Sequence, residues 1–406
     1  MYRYHNLRNS GINSNPATRG NGDSGVNRYK IGLNLSSKVN DDVKFNSRFI
    51  VGSPDDAGFA DLGSGRSNTA GGPAGNRGSD GQADVTLSNA YFGFTAIPNT
   101  VVNIGKQGLT TPYTVAVDIN GNEQTGTGIL ALSTFGPVTA GLGYFNNSNL
   151  NNSSEINLSQ GLGLANFPNG ANGVINGGQD VYVATVQGDL DFVKLEAWYV
   201  GHQNTFNSYT FAATGKIDIA ENAKLGLEAR YVALNLTDDV VNARNNHASV
   251  IPTQNQGTDN GMFRLAVDGK FSIVNARLAY TKTGKKGGLT ALDRDAKNTS
   301  LGWAITSNGV ANADYYQAAL GADILDNLNF TLNYGSLKAK EIEATKTVAT
   351  DIGGIKLEEV YGQLTYKMSK NLSTYLRYGT YEAKDISTGD KTDDQTRGRI
   401  QVAYTF

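Results

Sequence analysis

Charged side chains recur at alternate positions in the segments that open and close this chain. Arg3, Arg28, Lys30, Lys44 and Arg48 stand near its start, and Arg377, Arg397 and Arg399 near its end. Alternation puts such residues on one face of an extended chain. The chemistry they offer is electrostatic, and arginine keeps its charge at any physiological pH. The stretch from Gly108 to Thr125 carries Asp118, Asn120, Asn122 and Glu123, with Gly121 for a turn. Asp118 and Glu123 either solvate an external loop or, in a narrow aqueous passage, bias which ions enter. A further set, Lys194, Glu196, Glu228, Arg230, Arg264, Arg277 and Glu359, mixes both signs. Such pairs more often tune and solvate a wall than bind one ligand.

Reaction chemistry finds little support. Cysteine is absent, which excludes disulfides, thiolate zinc sites and cysteine nucleophiles. His5, His202 and His247 lie too far apart in sequence for a local metal motif. No Gly-x-Ser-x-Gly elbow is present. Gly105-Lys106-Gln107 lacks the spacing and the following helix of a phosphate loop. Lys plus Arg is 35 against 37 for Asp plus Glu, so no cationic surplus exists for nucleic acid. The expectation is no enzyme, no required cofactor and no nucleic-acid partner.

The elements that must position these charges are strands. Tyr29, Ile31, Leu33 and Leu35 alternate with Arg28, Lys30, Gly32 and Asn34, and the same period recurs in 43–51, 223–236 and 399–406. Tight turns lie at Val39–Asp42, Ile97–Asn99, Phe135–Pro137, Gly188–Asp191, Ala220–Asn222, Asp268–Lys270, Leu325–Asn327 and Met368–Lys370. Between the hairpins run longer Asn/Gly/Ser/Thr-rich stretches, at about 9–24, 53–83, 108–125, 148–178, 202–207, 237–260, 284–311, 339–353 and 384–395. Eight turns and nine loops imply eighteen strands in one domain over 1–406. Short turns on one side and long loops on the other describe an all-β, antiparallel transmembrane barrel. Bilayer hydrocarbon leaves no backbone group unpaired, so only helices or closed barrels span it. A lumen of that width is too broad for side chains to fill.

Closure makes the first three and last two strands contiguous, which gathers the eight cations named above on one arc of the lumen. Some would pair with carboxylates, and Arg3, Lys44 and Arg397 also suit a rim position. The last strand, Arg397-Gly-Arg-Ile-Gln-Val-Ala-Tyr-Thr-Phe, ends on an aromatic, like the insertion signal of outer-membrane barrels. Tyr2, Tyr4, Tyr91, Phe94, Tyr144, Phe145, Tyr366, Tyr378 and Tyr381 are candidates for interfacial girdles. A soluble sandwich shares the alternation with its faces inverted.

Several stretches resemble the major outer-membrane porin of Campylobacter-type bacteria. They are Arg3-Tyr4, Asn27-Arg-Tyr-Lys-Ile-Gly-Leu-Asn-Leu, Val39-Asn-Asp-Asp-Val-Lys-Phe, Ile104-Gly-Lys-Gln, Gly126-Thr-Gly and Leu195-Glu-Ala-Trp-Tyr. The resemblance implies an eighteen-stranded homotrimeric general porin, with the third loop folded into each lumen as a constriction. It places Asp118 where that loop presents a carboxylate, and implies a structural calcium ion nearby with Asp118 as candidate ligand. The expected function is passive diffusion of ions and small hydrophilic solutes across a Gram-negative outer membrane, among lipid and lipopolysaccharide. A substrate-specific channel and a surface adhesin are the alternatives on the same wall. Export would use a signal peptide, and this chain opens with none.

Overall fold

The computed structural model describes residues 1–9, 23–53, 57–64, 84–150, 177–245, 257–340 and 354–406. Its strands are β1 (Tyr2–Asn9), β2 (Asp23–Tyr29), β3 (Ile31–Lys38), β4 (Val43–Gly52), β5 (Ala60–Ser64), β6 (Asp84–Phe94), β7 (Thr100–Gly108), β8 (Thr125–Phe135), β9 (Val138–Ser148) and β10 (Val181–Leu190). They continue as β11 (Val193–His202), β12 (Phe206–Ala220), β13 (Ala223–Leu236), β14 (Asp259–Phe271), β15 (Val274–Thr283), β16 (Ala313–Leu325), β17 (Leu328–Ala339), β18 (Ile355–Lys367), β19 (Leu372–Asp385) and β20 (Lys391–Tyr404). One short helix, α1 (Asp238–Asn245), opens the stretch after β13. The middles of the long loops at 9–24, 53–83, 148–178, 237–260 and 339–353 lie outside the described residues.

All twenty segments join one antiparallel sheet. β2 and β3 are one strand interrupted at Lys30, and β4 and β5 lie along one edge of it. The twenty segments therefore occupy the eighteen positions expected. β20 pairs with β1 from Val402↔Tyr2 to Gln395↔Asn9, and β1 pairs onward with β2. The ladder thus comes full circle, and neither the first nor the last strand is left as a free edge.

The alternation decides which face meets what. Ile31, Leu33, Leu35, Leu142, Leu278, Leu320 and Tyr378 are exposed on the outer face, at 42–69 %. The inner face carries Arg3, Glu196, Arg230, Arg264 and Glu359, each buried by neighbours inside the ring. A soluble sandwich would bury the first set and expose the second. Three girdle candidates point inward instead: Phe145 is 2 % exposed, Tyr381 faces Arg397, and Tyr91 alternates with the exposed Phe92 and Phe94.

Two turns lie beyond their sequence positions. The β14–β15 turn falls at 272–273 rather than Asp268–Lys270, because Asp268 and Lys270 stay in the ladder against Arg277 and Asn275. Ser272 takes the left-handed conformation there, at φ 52°. The β10–β11 turn likewise falls at 191–192, with Asp191 at φ 55°.

The wall opens where the third loop leaves it. β6 pairs with β7 only from Ala90↔Lys106 to Phe94↔Val102, and after Gly108 the chain turns inward. Gly105 permits this at φ 129°, where a Cβ would meet the Ala90 carbonyl.

Leu278 to Arg puts a charge on the lipid-facing surface and should destabilise by about 2–4 kcal/mol, whereas Asn333 to Arg, on the lumen face, should cost far less. Urea unfolding in phospholipid vesicles measures both. Equal losses would mean the two faces are wrongly assigned.

Candidate functional site

The third loop, residues 109–124 between β7 and β8, is clamped to the wall by one carboxylate. Glu123 is 3 % exposed. Lys30, at the β2–β3 interruption, meets it at 2.5 Å, and Arg48 of β4 at 3.0 Å. The Ser88 hydroxyl of β6 donates to it at 2.9 Å. Lys30 also donates to the Gly121 carbonyl, and Arg3 of β1 to the Ile119 carbonyl at 3.2 Å. Burial pushes the Glu123 carboxyl up, but Arg48 and Lys30 outweigh it and hold it below the usual range. Glu123 therefore fastens the loop and is not the free acidic pole expected opposite the arc.

Asp118 is turned onto its own loop. Its Oδ1 accepts from the Asn120 and Asn122 amides at 2.8 Å, and its Oδ2 from the Asn122 side chain at 2.9 Å. Burial, with Asp295 nearby, lifts its pKa to about 6. Calcium takes about six to eight oxygen ligands. With both Asp118 oxygens engaged, and no group of three His, Cys, Asp or Glu fit to hold a metal among the described residues, this arrangement does not fit the ion.

A second loop folds inward, residues 284–312 between β15 and β16, although in sequence it reads as one more long outer loop. The Leu292 amide donates to the Tyr113 carbonyl at 2.8 Å, and the Asn298 amide to the Pro112 carbonyl at 2.9 Å. Asp293 accepts from the Val115 amide at 3.0 Å and from the Gln124 side chain. The two loops are thus stitched to each other. The wall holds the second loop as well. Glu359 of β18 accepts from the Trp303 and Ala304 amides, and Arg264 of β14 donates to the Thr299 and Lys297 carbonyls. Arg230 of β13 donates to the Asn298 side chain at 3.3 Å. Glu359, Arg230 and Arg264 lie on the lumen face as expected, but as fasteners. The missed signal was Leu289, Ala291, Leu292, Leu301, Trp303 and Ile305 inside a stretch otherwise reading as a polar loop. Apolar residues of that number need cover, and Leu289, Ala291 and Ile305 are at most 1 % exposed.

The basic arc divides into two. Lys30 and Arg48 are spent on Glu123, and Lys44 is exposed beside the short turn at 39–42 with no inward-loop contact. Arg28 pairs with Asp61 at 2.8 Å. Arg3 of β1, Arg377 of β19 and Arg397 and Arg399 of β20 meet no carboxylate at ion-pair distance among the described residues. Arg377 and Arg399 are register partners, as are Arg3 and Gln401. Glutamines hold them: Gln363 accepts from Arg377 at 2.8 Å, Gln401 from Arg3 at 2.8 Å and Gln395 from Arg397 at 2.9 Å. Rings flank them. Arg377 lies 5.2–5.4 Å from Trp303, Tyr361 and Tyr375, Arg397 5.4 Å from Tyr381, and Arg3 4.2 Å from Phe59. Amides and ring faces orient a guanidinium without neutralising it.

On the other wall two carboxylates are each shared among several cations. Glu228 meets Arg264 at 2.6 Å, Arg230 at 3.1 Å and Arg277 at 3.5 Å. Glu196 meets Lys297, Arg230 and Lys194 at 3.5–3.9 Å. A cavity of about 550 Å³ lies against Lys194, Glu196, Glu228, Arg230 and Lys297. His202 is buried and stacks on Phe206, away from these charges.

Comparison with known proteins places this architecture. A sequence model described as Campylobacter major outer membrane protein matches residues 1–406. No curated protein gives a significant match. Among solved structures the chain is similar to Pseudomonas aeruginosa OpdL (TM-score 0.70, 13 % identity, covering 100 % of this chain and 96 % of that one). It is similar also to Acinetobacter baumannii OccAB3 (0.68, 13 %, 100 % and 97 %) and to Pseudomonas aeruginosa OpdK with vanillate (0.65, 14 %, 99 % and 96 %). At such identities the likeness is one of fold.

Glu123 to Gln leaves Lys30 buried without its anion and should destabilise by about 3–5 kcal/mol. It should also free the third loop, read as a lower urea midpoint and as faster proteolysis within 109–124. An unchanged midpoint would remove the clamp. Asp118 should lose its charge as pH falls through about 6, and burial also raises Asp295 on the other inward loop. The passage then becomes more positive, so reversal potentials should move toward anions between about pH 7.5 and 5. Asp118 to Asn should shrink that movement; an identical pH profile in the variant would discount this carboxylate.

Proposed function

This chain belongs to the Campylobacter major outer membrane protein family, and we propose that its lumen sorts solutes by charge across a transverse field. It is an outer-membrane porin, a β-barrel channel for small solutes. The family and fold are those of a channel, and we take transport to be passive and without catalysis. We further propose the homotrimer that the family resemblance implies, which native mass spectrometry of the detergent-extracted protein would test.

One observation carries the selectivity reading. Arg3, Arg377, Arg397 and Arg399 sit on three adjacent strands, the first three with glutamine and ring partners, and none with a carboxylate at ion-pair distance among the described residues. Asp118 and Asp295 lie on the two inward loops, and Asp118 acts electrostatically on Arg3. Cations on one side and acids on the other orient a dipolar solute and admit ions of both signs. Low-dielectric protein around a narrow passage strengthens such a field.

A second reading takes the aromatic setting of Arg377 as its support. Trp303, Tyr361 and Tyr375 around one guanidinium suit a flat carboxylate, and OpdK was crystallised with vanillate. A channel specific for such solutes would be blocked by low concentrations of one aromatic acid.

Planar-bilayer recordings separate the two. Arg377 to Gln, Arg397 to Gln and Arg399 to Gln together should move the reversal potential toward cations. No shift would sink the field. Block by an aromatic carboxylate that Arg377 to Gln alone relieves would favour the specific channel.

A further inference from the structure

The outer face carries a row of charge that the lumen does not use. In the β16–β20 ladders, Lys338 pairs with Lys356, Lys356 with Lys384, and Lys384 with Lys391. Four strands therefore present lysine at one level, at the long-loop end. Adjacent strands lie about 4.8 Å apart, so the row spans about 14 Å. The face is the outer one. Lys338 shares its parity with exposed Tyr334, and Lys356 with exposed Val360. Lys391 meets Glu382, which Lys384 also meets, on that side.

Like charges directly opposed across strands are destabilising. Carboxylates two or three residues nearer the membrane centre offset part of this. Glu358 meets Lys356 at 2.9 Å, and Asp394 meets Lys391 at 3.3 Å. Lys338 has no carboxylate at ion-pair distance among the described residues, and it is exposed. One step toward the membrane from the row come Tyr316 and Glu358, and then Tyr334, whose hydroxyl donates to Glu358 at 3.1 Å. Aromatics at this depth mark the headgroup boundary. The lysines thus stand about 7 Å beyond the Tyr316 level per two-residue step, where headgroup phosphates lie. The arc is particular. At the same end of β10–β14 the outer row reads Tyr182, Gly201, Asn207, Asn235 and Asp259, with no cation.

We propose that the lysine row Lys338–Lys356–Lys384–Lys391 on the outer face of β17–β20 docks the phosphate groups of an outer-leaflet glycolipid of the lipid A type. The proposal rests on the outer-membrane placement and not on the lumen's ion preference. Closely spaced phosphates supply the countercharge that Glu358, Glu382 and Asp394 leave unmet among the four ammonium groups, and acyl chains continue down the apolar face below. Lysine suits the task as a mobile point charge on a long stem.

The test uses the full chain purified in detergent, titrated with bisphosphorylated lipid A and, separately, with its phosphate-free counterpart, and read by native mass spectrometry. Replacing Lys338, Lys356, Lys384 and Lys391 together by Gln should weaken lipid A retention at least about tenfold, given the contribution of each lysine near an anionic surface. Replacing the same four by Arg should restore it. Single-channel conductance of the Gln variant should stay at the wild-type level, so failure here leaves the channel reading standing. Unchanged retention in the Gln variant overturns the proposal, as does equal retention of the phosphate-free lipid. A change of oligomeric mass with lipid A binding intact overturns it too, and assigns the row to a second copy of the chain.

Discussion

A peptide group in hydrocarbon finds no water, and that constraint organises everything else in this molecule. Each strand must pair on both edges, so the ladder has to return to its start, and β20 does pair with β1. Pairing alone is indifferent to sequence. What selects the sequence is that the resulting wall separates two solvents, so every strand needs one apolar and one polar face. The exposed Leu278 and Leu320 outside, and the buried Arg264 and Glu359 inside, are two sides of one requirement.

The same constraint acts a second time within the ring. Two loops brought into the lumen lose much of their water, and their amides and carbonyls need partners just as strand edges do. The chain meets this with side chains. Glu359 serves the amides of Trp303 and Ala304, Asn308 those of Thr290 and Ala291, and Arg264 the carbonyls of Lys297 and Thr299. Charges that look like channel chemistry in sequence are therefore divided between two tasks. Those consumed by loop backbone or by each other hold the constriction in place. Those left over generate the field.

This division explains how far the residues could be read in advance. Period and turn chemistry are local, so the strand positions and the faces of Arg3, Arg230 and Glu359 were legible from one segment at a time. The partner of a charge is not local. Glu123 lies 93 residues from Lys30 and 75 from Arg48, and nothing in the neighbourhood of any of the three announces the pairing. The inward path of 284–312 was legible in principle, since its leucines and Trp303 ask for cover. An apolar run inside a loop reads as noise until the lumen is known to offer a place for it. The turn at 272–273 was misplaced for a smaller reason: Asp268, Gly269 and Lys270 are turn-forming types, and the Asp268–Arg277 ion pair at 2.6 Å keeps them in the ladder.

Both charged rows of the molecule, arginines inside and lysines outside, follow from what each must face. Inside, the cations stand in fixed register before a narrow passage, and a neutralising carboxylate would cancel the field. Glutamine and ring faces fix the guanidinium's plane and leave its charge intact, which a lysine's rotating ammonium could not exploit equally. Outside, at the headgroup level, no fixed geometry is offered, because lipids exchange and tilt. There a flexible stem with a point charge is the better match, and partial pairing with Glu358, Glu382 and Asp394 holds the row upright without quenching it. Arginine for a held direction and lysine for a shifting one is the same electrostatics applied to a rigid lumen and a fluid surface.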